Sequence, residues 1–510
     1  MDFSEDTLNK SDISNFFAGK SVFLTGGSGF LGKAILEKLL RSCPDIRCIY
    51  VLMRPKRGTS VQDRLQKILS EPLFTETLRR RVEARSKVHV VEGDVLLPQL
   101  GVSSQDRATL IHEVNIIIHS AASVRFDEPL KEAVNMNMGG TLRVLELAKE
   151  VENLVSMVHI STAYANCTLS EAEERIYDLD HSAHGILQMC EWMDEKSLKE
   201  VSSSILGTYP NTYTCTKAYA EHLVRESQAE HNIPIVIVRP SIVLATWNEP
   251  FVGWLDNING PSGLFMVAGL GLLRAAPVTL RETFPDLVPL DLVVNTVIVA
   301  AKHRADPGVG PLPILHATAG PQNRISWQKM RRINLRLART YPLVQMLRYP
   351  RMDFAFNDLH HKYMMFFHHY LPAHLAHFAV SLAGKPSKIA RRYQRMINTI
   401  DILMFFYTTD PIFRKQKAEA LFKSLNETDQ YLFPMLADRM DWEVYLKGYL
   451  FGIRYFLLKE DLTTLPAARK RLTVLKAADL ASTPLTLCFL YLMISWLISC
   501  LSMASTVIPS

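Results

Sequence analysis

Through roughly residue 300, short apolar runs alternate with stretches whose apolar residues recur every three or four positions. The runs SVFLT (21–25), CIYVLM (48–53), KVHVVEG (87–93), NIIIHSA (115–121), MVHIST (157–162) and IPIVIVRP (233–240) read as strands. Several are apolar at every position, as strands covered on both faces must be. Segments between them, such as NMGGTLRVLELAKE, carry helical periodicity, so the pattern predicts an α/β fold with a parallel sheet. Beyond residue 325 or so the strand signals stop. WQKMRRINLRLARTYPLVQMLRY and KIARRYQRMINTIDILMFFY are basic amphipathic patterns and predict helices. Their basic and aromatic content suits docking at a membrane surface, with an ordinary solvated helical cap as the alternative.

A chain of 510 residues exceeds one ordinary core. The expected division is 15–325, 326–475 and an apolar tail over 484–506. In that tail, LTLCFLYLMISWLISCLSMA (485–504) is almost continuously apolar, and no charged residue follows Asp479. Twenty such residues span about 30 Å, enough for a membrane anchor, with a buried helix or a one-leaflet hairpin as alternatives. Arg469, Lys470, Arg471 and Lys476 precede it and favour a cytosolic face for the rest of the chain. The opening MDFSEDTLNK lacks the apolar run of a secretory leader. A net charge of +6 suits an anionic ligand or a membrane and gives no support to nucleic-acid binding. Seven scattered cysteines form neither a metal spacing nor a disulfide framework.

Candidate chemistry begins at FLTGGSGFLGKAILEKLL (23–40), where a strand, a glycine turn and a helix follow one another. That order places free helix N–H groups against a dinucleotide's pyrophosphate. Two spacings overlap, Gly27-Gly29-Gly32 and Gly26-Gly29-Gly32. The second is expected to be the working one, with Gly27 a permissive local choice. Cofactor selection is read some 20 residues on, where an acidic residue would hold the ribose of NAD. VLMRPKRG stands there instead, with Arg54, Lys56 and Arg57, so a 2′-phosphate and hence NADPH is expected.

PNTYTCTKAYAEHL (210–223) puts Tyr213 and Lys217 four apart on one helix face. A lysine cation beside a phenol is expected to ease its ionisation and make it a proton donor to a carbonyl receiving hydride. Ser161 and Thr162 of HISTAYAN end a strand, where one hydroxyl can hold the same oxygen.

At this point the chain resembles the extended short-chain dehydrogenase/reductases and, within them, the alcohol-forming fatty acyl-CoA reductases. LTGGSGFLGKAILEKLLRSCP, HSAASVRFDEPL, HISTAYANC, PNTYTCTKAYAE, VRPSIV, EPFVGWLDNINGPSGL and LPAARKRL carry the resemblance, in family order, over nearly the whole chain. It implies a doubly wound parallel sheet of Rossmann type, a helical C-terminal domain and a membrane-anchored tail. The implied reaction reduces a long-chain acyl-CoA through a thiohemiacetal and an aldehyde to a primary alcohol, using NADPH twice. Tyr213 and Thr162, favoured over Ser161, would stabilise the oxyanion, and Lys217 would bind the nicotinamide ribose. Further cofactor contacts are implied for Gly26, Ser28, Gly29, Phe30, Leu31, Gly32, Arg54, Asp94, Val95, Ser120, Ala121, Ala122 and Pro240. Asn137 would support the site from a helix, with capping or turn formation the alternative for it and for Asp94. LHATAG (315–320) departs from the family pattern and puts local contacts near His316 in doubt.

The implied location is a membrane, endoplasmic reticulum or peroxisome, and self-association is compatible with it. Competing readings are a reductase of a sterol or another lipid carbonyl, and a catalytically silent membrane scaffold. LHHKYMMFFHHYLPAHLAHF (359–378) holds six histidines without an acidic residue and is expected to be an aromatic helix, not a metal site. ILMFFY (402–407) is expected to be core in preference to an acyl tunnel.

Overall fold

Ser21–Thr25 forms the central strand of a seven-stranded sheet. The computed structural model describes residues 5–481, except 57, 259, 278–282, 383 and 385–387, together with Ser495. Strands β1 (Ser21–Thr25), β2 (Cys48–Met53), β3 (Val88–Glu92), β4 (Ile116–His119), β5 (Ser156–Ile160), β6 (Ile235–Pro240) and β7 (Ile314–Ala317) are all parallel, in the order β7-β6-β5-β4-β1-β2-β3. All six expected runs are strands. The seventh, β7, had no sequence signal. The order reverses between β1 and β4, where a doubly wound sheet opens a crevice for ligands.

Phe23, Ile117, Met157 and Ile237 turn to one face of the sheet. There they join Val144 and Leu145 of helix α2 (Gly140–Glu150) and Tyr219 and Leu223 of α3 (Thr212–His231) in one core. Each such side chain contributes about 1.5–3 kcal/mol by leaving water. The helices α1 (Phe30–Ser42) and α4 (Leu290–Arg304) pack against each other, and α4 also packs against β5 and β6.

The chain divides into two compact units. One holds Met1–Asn257, Thr283–Trp327 and Ile397–Gly452; the other holds Ile258–Glu282, Gln328–Met396 and Ile453–Ser510. One crossing between the units falls after Trp327, and 397–452, expected within a single 326–475 domain, groups with the first unit. The other crossings depend on long-range contacts that leave no local pattern. In the first unit, the buried Lys38 ammonium donates to both Glu249 oxygens at 2.9 and 2.7 Å and to the Leu432 carbonyl at 2.6 Å. Asn295 Nδ2 donates to Glu249 and to the Pro434 carbonyl, both at 2.9 Å. Buried charges of this kind must be paired, and the pairing ties 397–452 to the sheet.

In the second unit, helices α5 (Trp327–Thr340), α6 (Asp358–Met365), α7 (Leu371–Leu382) and α8 (Ile389–Thr408) match the helical expectation, α5 beginning and α8 ending in residues of the first unit. A wide π turn, Phe366–Tyr370, joins α6 to α7. The expected anchor at 484–506 lies outside the described residues apart from Ser495. Among the described residues, no helix is long and apolar enough to cross a membrane.

Candidate active site and dinucleotide cradle

The glycine turn follows β1 directly. Gly26 adopts φ +73°, and a methyl group there would come within 2.7 Å of the Ala121 backbone nitrogen, so the turn is closed against the loop after β4. Gly32 sits so near the Gly26 carbonyl that any Cβ would overlap it. Gly27 is not the permissive position expected. A Cβ there would lie 2.5 Å from Val51 Cγ1, a stiff branched side chain buried in β2.

The residues left open are the ones a pyrophosphate would use. Ser28 and Gly29 are exposed, Phe30 and Leu31 half-buried, and the N-terminus of α1 has no side-chain cap. Its first N–H groups therefore point outward without internal partners from the helix. Tight packing behind and an uncapped helix in front make this turn fit a dinucleotide.

Around it, Ser120, Ala121 and Ala122 are half-buried, and the Ser120 amide donates to the Thr25 carbonyl at 3.3 Å. Arg54 is exposed after β2, with Nη1 3.8 Å from the Asp94 carboxylate. Asp94 itself accepts from the Leu96 amide at 3.0 Å, the turn role left open for it. Lys56 is exposed, and Arg57 lies outside the described residues. Val95 is buried against Gly140 at the start of α2 and accepts from Arg143 Nη1 at 2.9 Å.

Tyr213 and Lys217 stand in the first turns of α3, whose N-cap Asn211 accepts from the Thr214 amide at 2.9 Å. The Thr162 hydroxyl lies near enough to the Tyr213 phenol to favour its ionised form. Thr162 also donates to the Pro240 carbonyl at 3.3 Å, which ties the end of β6 to the site. Ser161 Oγ is buried with no hydrogen-bond partner among the described residues. Thr162 is therefore the hydroxyl that meets the phenol.

Lys217 is buried and donates to the Ile160 carbonyl at 2.7 Å. Burial lowers it to about 8, against the opposing charge of Glu221. The expected easing of the phenol by Lys217 does not occur in this arrangement. Burial pushes Tyr213 up to about 12, only partly offset by Thr162, so the phenol stays protonated.

Asn137 lies in a second π turn, Asn135–Gly139, just before α2. Its side chain accepts from the Ser123 amide at 2.8 Å and donates to Thr216 Oγ1 at 3.0 Å, joining the β4 loop to α3. Sequence reasoning missed the buried string behind it. Ala121 N–H donates to Thr25 Oγ1 at 3.2 Å, and the Thr25 hydroxyl donates to His119 Nδ1 at 2.8 Å. His119 Nε2–H donates to Thr141 Oγ1 at 3.1 Å, and Thr141 donates to the Asn137 carbonyl at 2.7 Å. Because the Thr141 proton is committed to that carbonyl, the His119 tautomer is set by it. Burial, aided by the Lys217 charge, lowers His119 to about 3 and keeps it neutral.

Beside Tyr213 runs an aromatic wall. Phe126 lies 5.5 Å from the Tyr213 ring and stacks on Phe406 at 4.7 Å. Tyr164 meets Phe406 and Phe413 edge-on at 5.0 and 5.2 Å, with Phe405 and Ile242 half-buried alongside. Phe406 of ILMFFY is buried in this cluster and reaches the residue that touches the Tyr213 ring. The stretch around GWLDN instead braces α1. Trp254 stacks on Phe30 at 5.3 Å, and Asp256 pairs with Lys33 at 2.6 Å. His316, the position in doubt, is buried on β7 with Nε2 3.2 Å from Arg239 Nη1.

Of the six histidines, His369 is buried. Its Nε2 accepts the Arg274 and Ala275 amides at 3.2 Å each, and its Nδ1 bonds Tyr393 Oη at 2.5 Å. Among the described residues, no group of three or more His, Cys, Asp and Glu is placed to hold a metal.

The NAD-binding family described as "Male sterility protein" matches residues 24–297, and the Sterile family with the same description matches 368–460. The chain is 36% identical to fatty acyl-CoA reductase 1 of Rattus norvegicus over 91% of its own length and 90% of the relative's. It is 35% identical to fatty acyl-CoA reductase 1 of Homo sapiens, and 34% to fatty acyl-CoA reductase 2 of Bos taurus, with the same coverage. Among solved structures, the reductase domain of a nonribosomal peptide synthetase from Mycobacterium tuberculosis shares the fold, with a TM-score of 0.58 at 18% identity. That alignment covers 89% of this chain and 97% of the other. The terminal R domain of the myxalamid pathway aligns with a TM-score of 0.56 at 19% identity, over 86% of this chain and 91% of that one. A nicotinamide-binding reductase fold and relatives matched over nine-tenths of the chain make this protein a member of the fatty acyl-CoA reductase family, of the extended short-chain dehydrogenase/reductase type.

Proposed function

We propose that this protein reduces a long-chain acyl-CoA to the primary alcohol, through the aldehyde, with NADPH as reductant. The observation that carries the reading is the contact of Phe126 with Tyr213, which sets an apolar wall directly beside the proton donor. An acyl chain lying along Phe126, Phe406 and Ile242 presents its carbonyl to Tyr213 and Thr162. The bound reduced nicotinamide supplies hydride to that carbonyl carbon.

Tyr213, kept protonated by burial, donates its proton to the carbonyl oxygen. The Thr162 hydroxyl holds the same oxygen as charge gathers on it. Lys217, whose ammonium donates to the Ile160 carbonyl, would hold the nicotinamide ribose and return a proton to the phenol. The thiohemiacetal then loses the CoA thiol. After the oxidised cofactor is exchanged for a second NADPH, Tyr213 and Thr162 would receive the aldehyde oxygen in the same place for the second reduction.

The preference for NADPH rests on Arg54, an exposed guanidinium after β2 where NAD enzymes carry an acid. The apolar run 485–504 supports a tail anchor that leaves the catalytic portion cytosolic, in endoplasmic reticulum or peroxisome. Acyl-CoA-dependent oxidation of NADPH, with chromatographic identification of the product, tests the proposal. Fatty alcohol is expected. Aldehyde as the sole product removes the second step, and turnover of a sterol ketone but of no acyl-CoA overturns the substrate class.

A further inference from the structure

The second unit carries an apolar stripe that its own core does not use. Leu359, Tyr363, Phe366, Leu375, Phe378 and Leu382 are exposed, Phe378 at 62% and Leu382 at 72%, and Leu371 is half-buried between them. The steps along Leu359, Tyr363, Phe366, Leu371, Leu375, Phe378 and Leu382 are four, three, five, four, three and four. The single step of five falls on the π turn Phe366–Tyr370, where the Leu371 amide bonds back to the Phe366 carbonyl.

In an unbroken α-helix a step of five would swing the second half of the stripe round by about 140°. The wide turn absorbs the extra residue, so both halves keep one face. Pro372 comes next, lacks an N–H, and leaves the His368 carbonyl without a helical donor. Arg348 Nη1 supplies that bond at 2.6 Å. On the opposite side Met364, His369 and Ala373 are buried. The structure therefore commits a π turn and a half-buried arginine to a helix whose continuous apolar face is turned to solvent.

Charge decides what covers it. From Leu359 to Ile400 the sequence has no Asp or Glu, but it has Lys362, Lys385, Lys388, Arg391, Arg392 and Arg395. Lys362, Lys388, Arg391 and Arg395 are exposed. A long apolar ridge that includes Lys362 and is followed in sequence by the other cations, with one acid, Asp358, at its N-terminal end, is complementary to an anionic lipid surface, which accepts a convex helix without needing a matching groove.

We infer that the α6–α7 helix lies in the plane of an anionic bilayer, its Leu359–Leu382 stripe sunk among the acyl chains and its basic residues on the headgroups. The inference is independent of the tail anchor proposed for 484–506, and of the reductase reading.

The test places an environment-sensitive fluorophore on the full-length protein at Phe378→Cys, at Leu382→Cys, or at the control Lys423→Cys. Cys488 and Cys500 are replaced by Ser, and reductase activity is confirmed in each. Phosphatidylcholine vesicles with and without phosphatidylserine are added, then the same vesicles carrying brominated acyl chains. The expected result is a blue shift and at least twofold bromine quenching at 378 and 382 on serine-containing vesicles, with none at 423. Probes shielded before any lipid is added mean that the chain's own tail covers the stripe. Shielding that grows with protein concentration means that a second copy does. Protein held on vesicles with unquenched probes means that the tail alone binds. Each of these three overturns the inference.

Discussion

Phe406 stacks on Phe126 with ring centroids 4.7 Å apart, although the two are widely separated in sequence. Phe126 also packs on Tyr213, so a residue of the C-terminal portion helps to shape the space beside the proton donor. Truncating the wall removes contact with the chain, not with the carbonyl. Phe406→Ala should lower kcat/KM for long-chain acyl-CoA about tenfold while changing the value for short chains much less. Kinetics across an acyl-CoA length series read this directly, and an equal loss at every length would make Phe406 merely structural.

The influence of Thr162 on the Tyr213 phenol separates two adjacent hydroxyls. Tyr213→Phe should reduce turnover about 100- to 10,000-fold with cofactor binding retained. Thr162→Ala should be severe and Thr162→Ser mild. Ser161→Ala, which removes an oxygen with no partner among the described residues, should change kcat less than twofold. Steady-state rates with cofactor titrations check the set.

Lys217, lowered by burial to about 8, titrates in an accessible range, whereas Tyr213 at about 12 does not. As pH rises through about 8, Lys217 loses its charge and with it the ribose contact. The kcat/KM for the nicotinamide cofactor, which reports the free enzyme, should therefore fall on the alkaline side with an apparent midpoint near 8. Lys217→Met should leave a low, flat profile. An alkaline limb that persists in that variant assigns the titration to another group.

Arg54 is the candidate for the ribose 2′-phosphate. Arg54→Ala should lower the preference for NADPH over NADH about 10- to 100-fold, chiefly through KM for NADPH, as loss of a charge-assisted bond predicts. Parallel kinetics with both cofactors decide it, and an unchanged ratio would move selectivity elsewhere.

Burial pushes Glu249 up, but Lys38 and Arg41 outweigh it and hold the carboxyl at about 2. Glu249→Gln leaves the buried Lys38 without its anion, takes one of the two anions of Arg41, and should destabilise the first unit by about 3–5 kcal/mol. Because its folded pKa is depressed, the stabilisation that Glu249 gives is present above pH 4.5 or so and fades as pH falls toward 2. Thermal melting of the wild type and the variant across acid pH measures both effects.

Local pattern carried most of the sheet. Runs such as Cys48–Met53 are apolar on both sides and bounded by turn residues, so their strand character is written in neighbouring positions. β7 was invisible because Ile314–Ala317 has a single β-branched residue and follows Pro313, whereas β4, equally short and also with a histidine, opens on three isoleucines. His316 is tolerated there because Arg239 lies beside it on β6. In the site, glycines, Tyr213, Lys217 and Thr162 were legible because chemistry restricts their residue types and spacing. Phe126, Phe406 and His119 were not, since an aromatic or a histidine in an apolar run looks alike whether it fills a core or faces a substrate. Gly27 failed for a related reason: the side chain that forbids a methyl there, Val51, comes from the neighbouring strand.

The interleaving of the two units has a consequence for biogenesis. Chains emerge from the ribosome N-terminus first, at roughly 5–20 residues per second. The sheet is complete once Ala317 is out, yet Lys38 and Asn295 wait for the Leu432 and Pro434 carbonyls. Until then the nascent protein exposes two unsatisfied donors and the apolar surface that 397–452 covers, an opening for chaperones and proteases. A premature stop within 397–452 would therefore deprive the cell of the reductase unit itself, and not only of the residues beyond the stop.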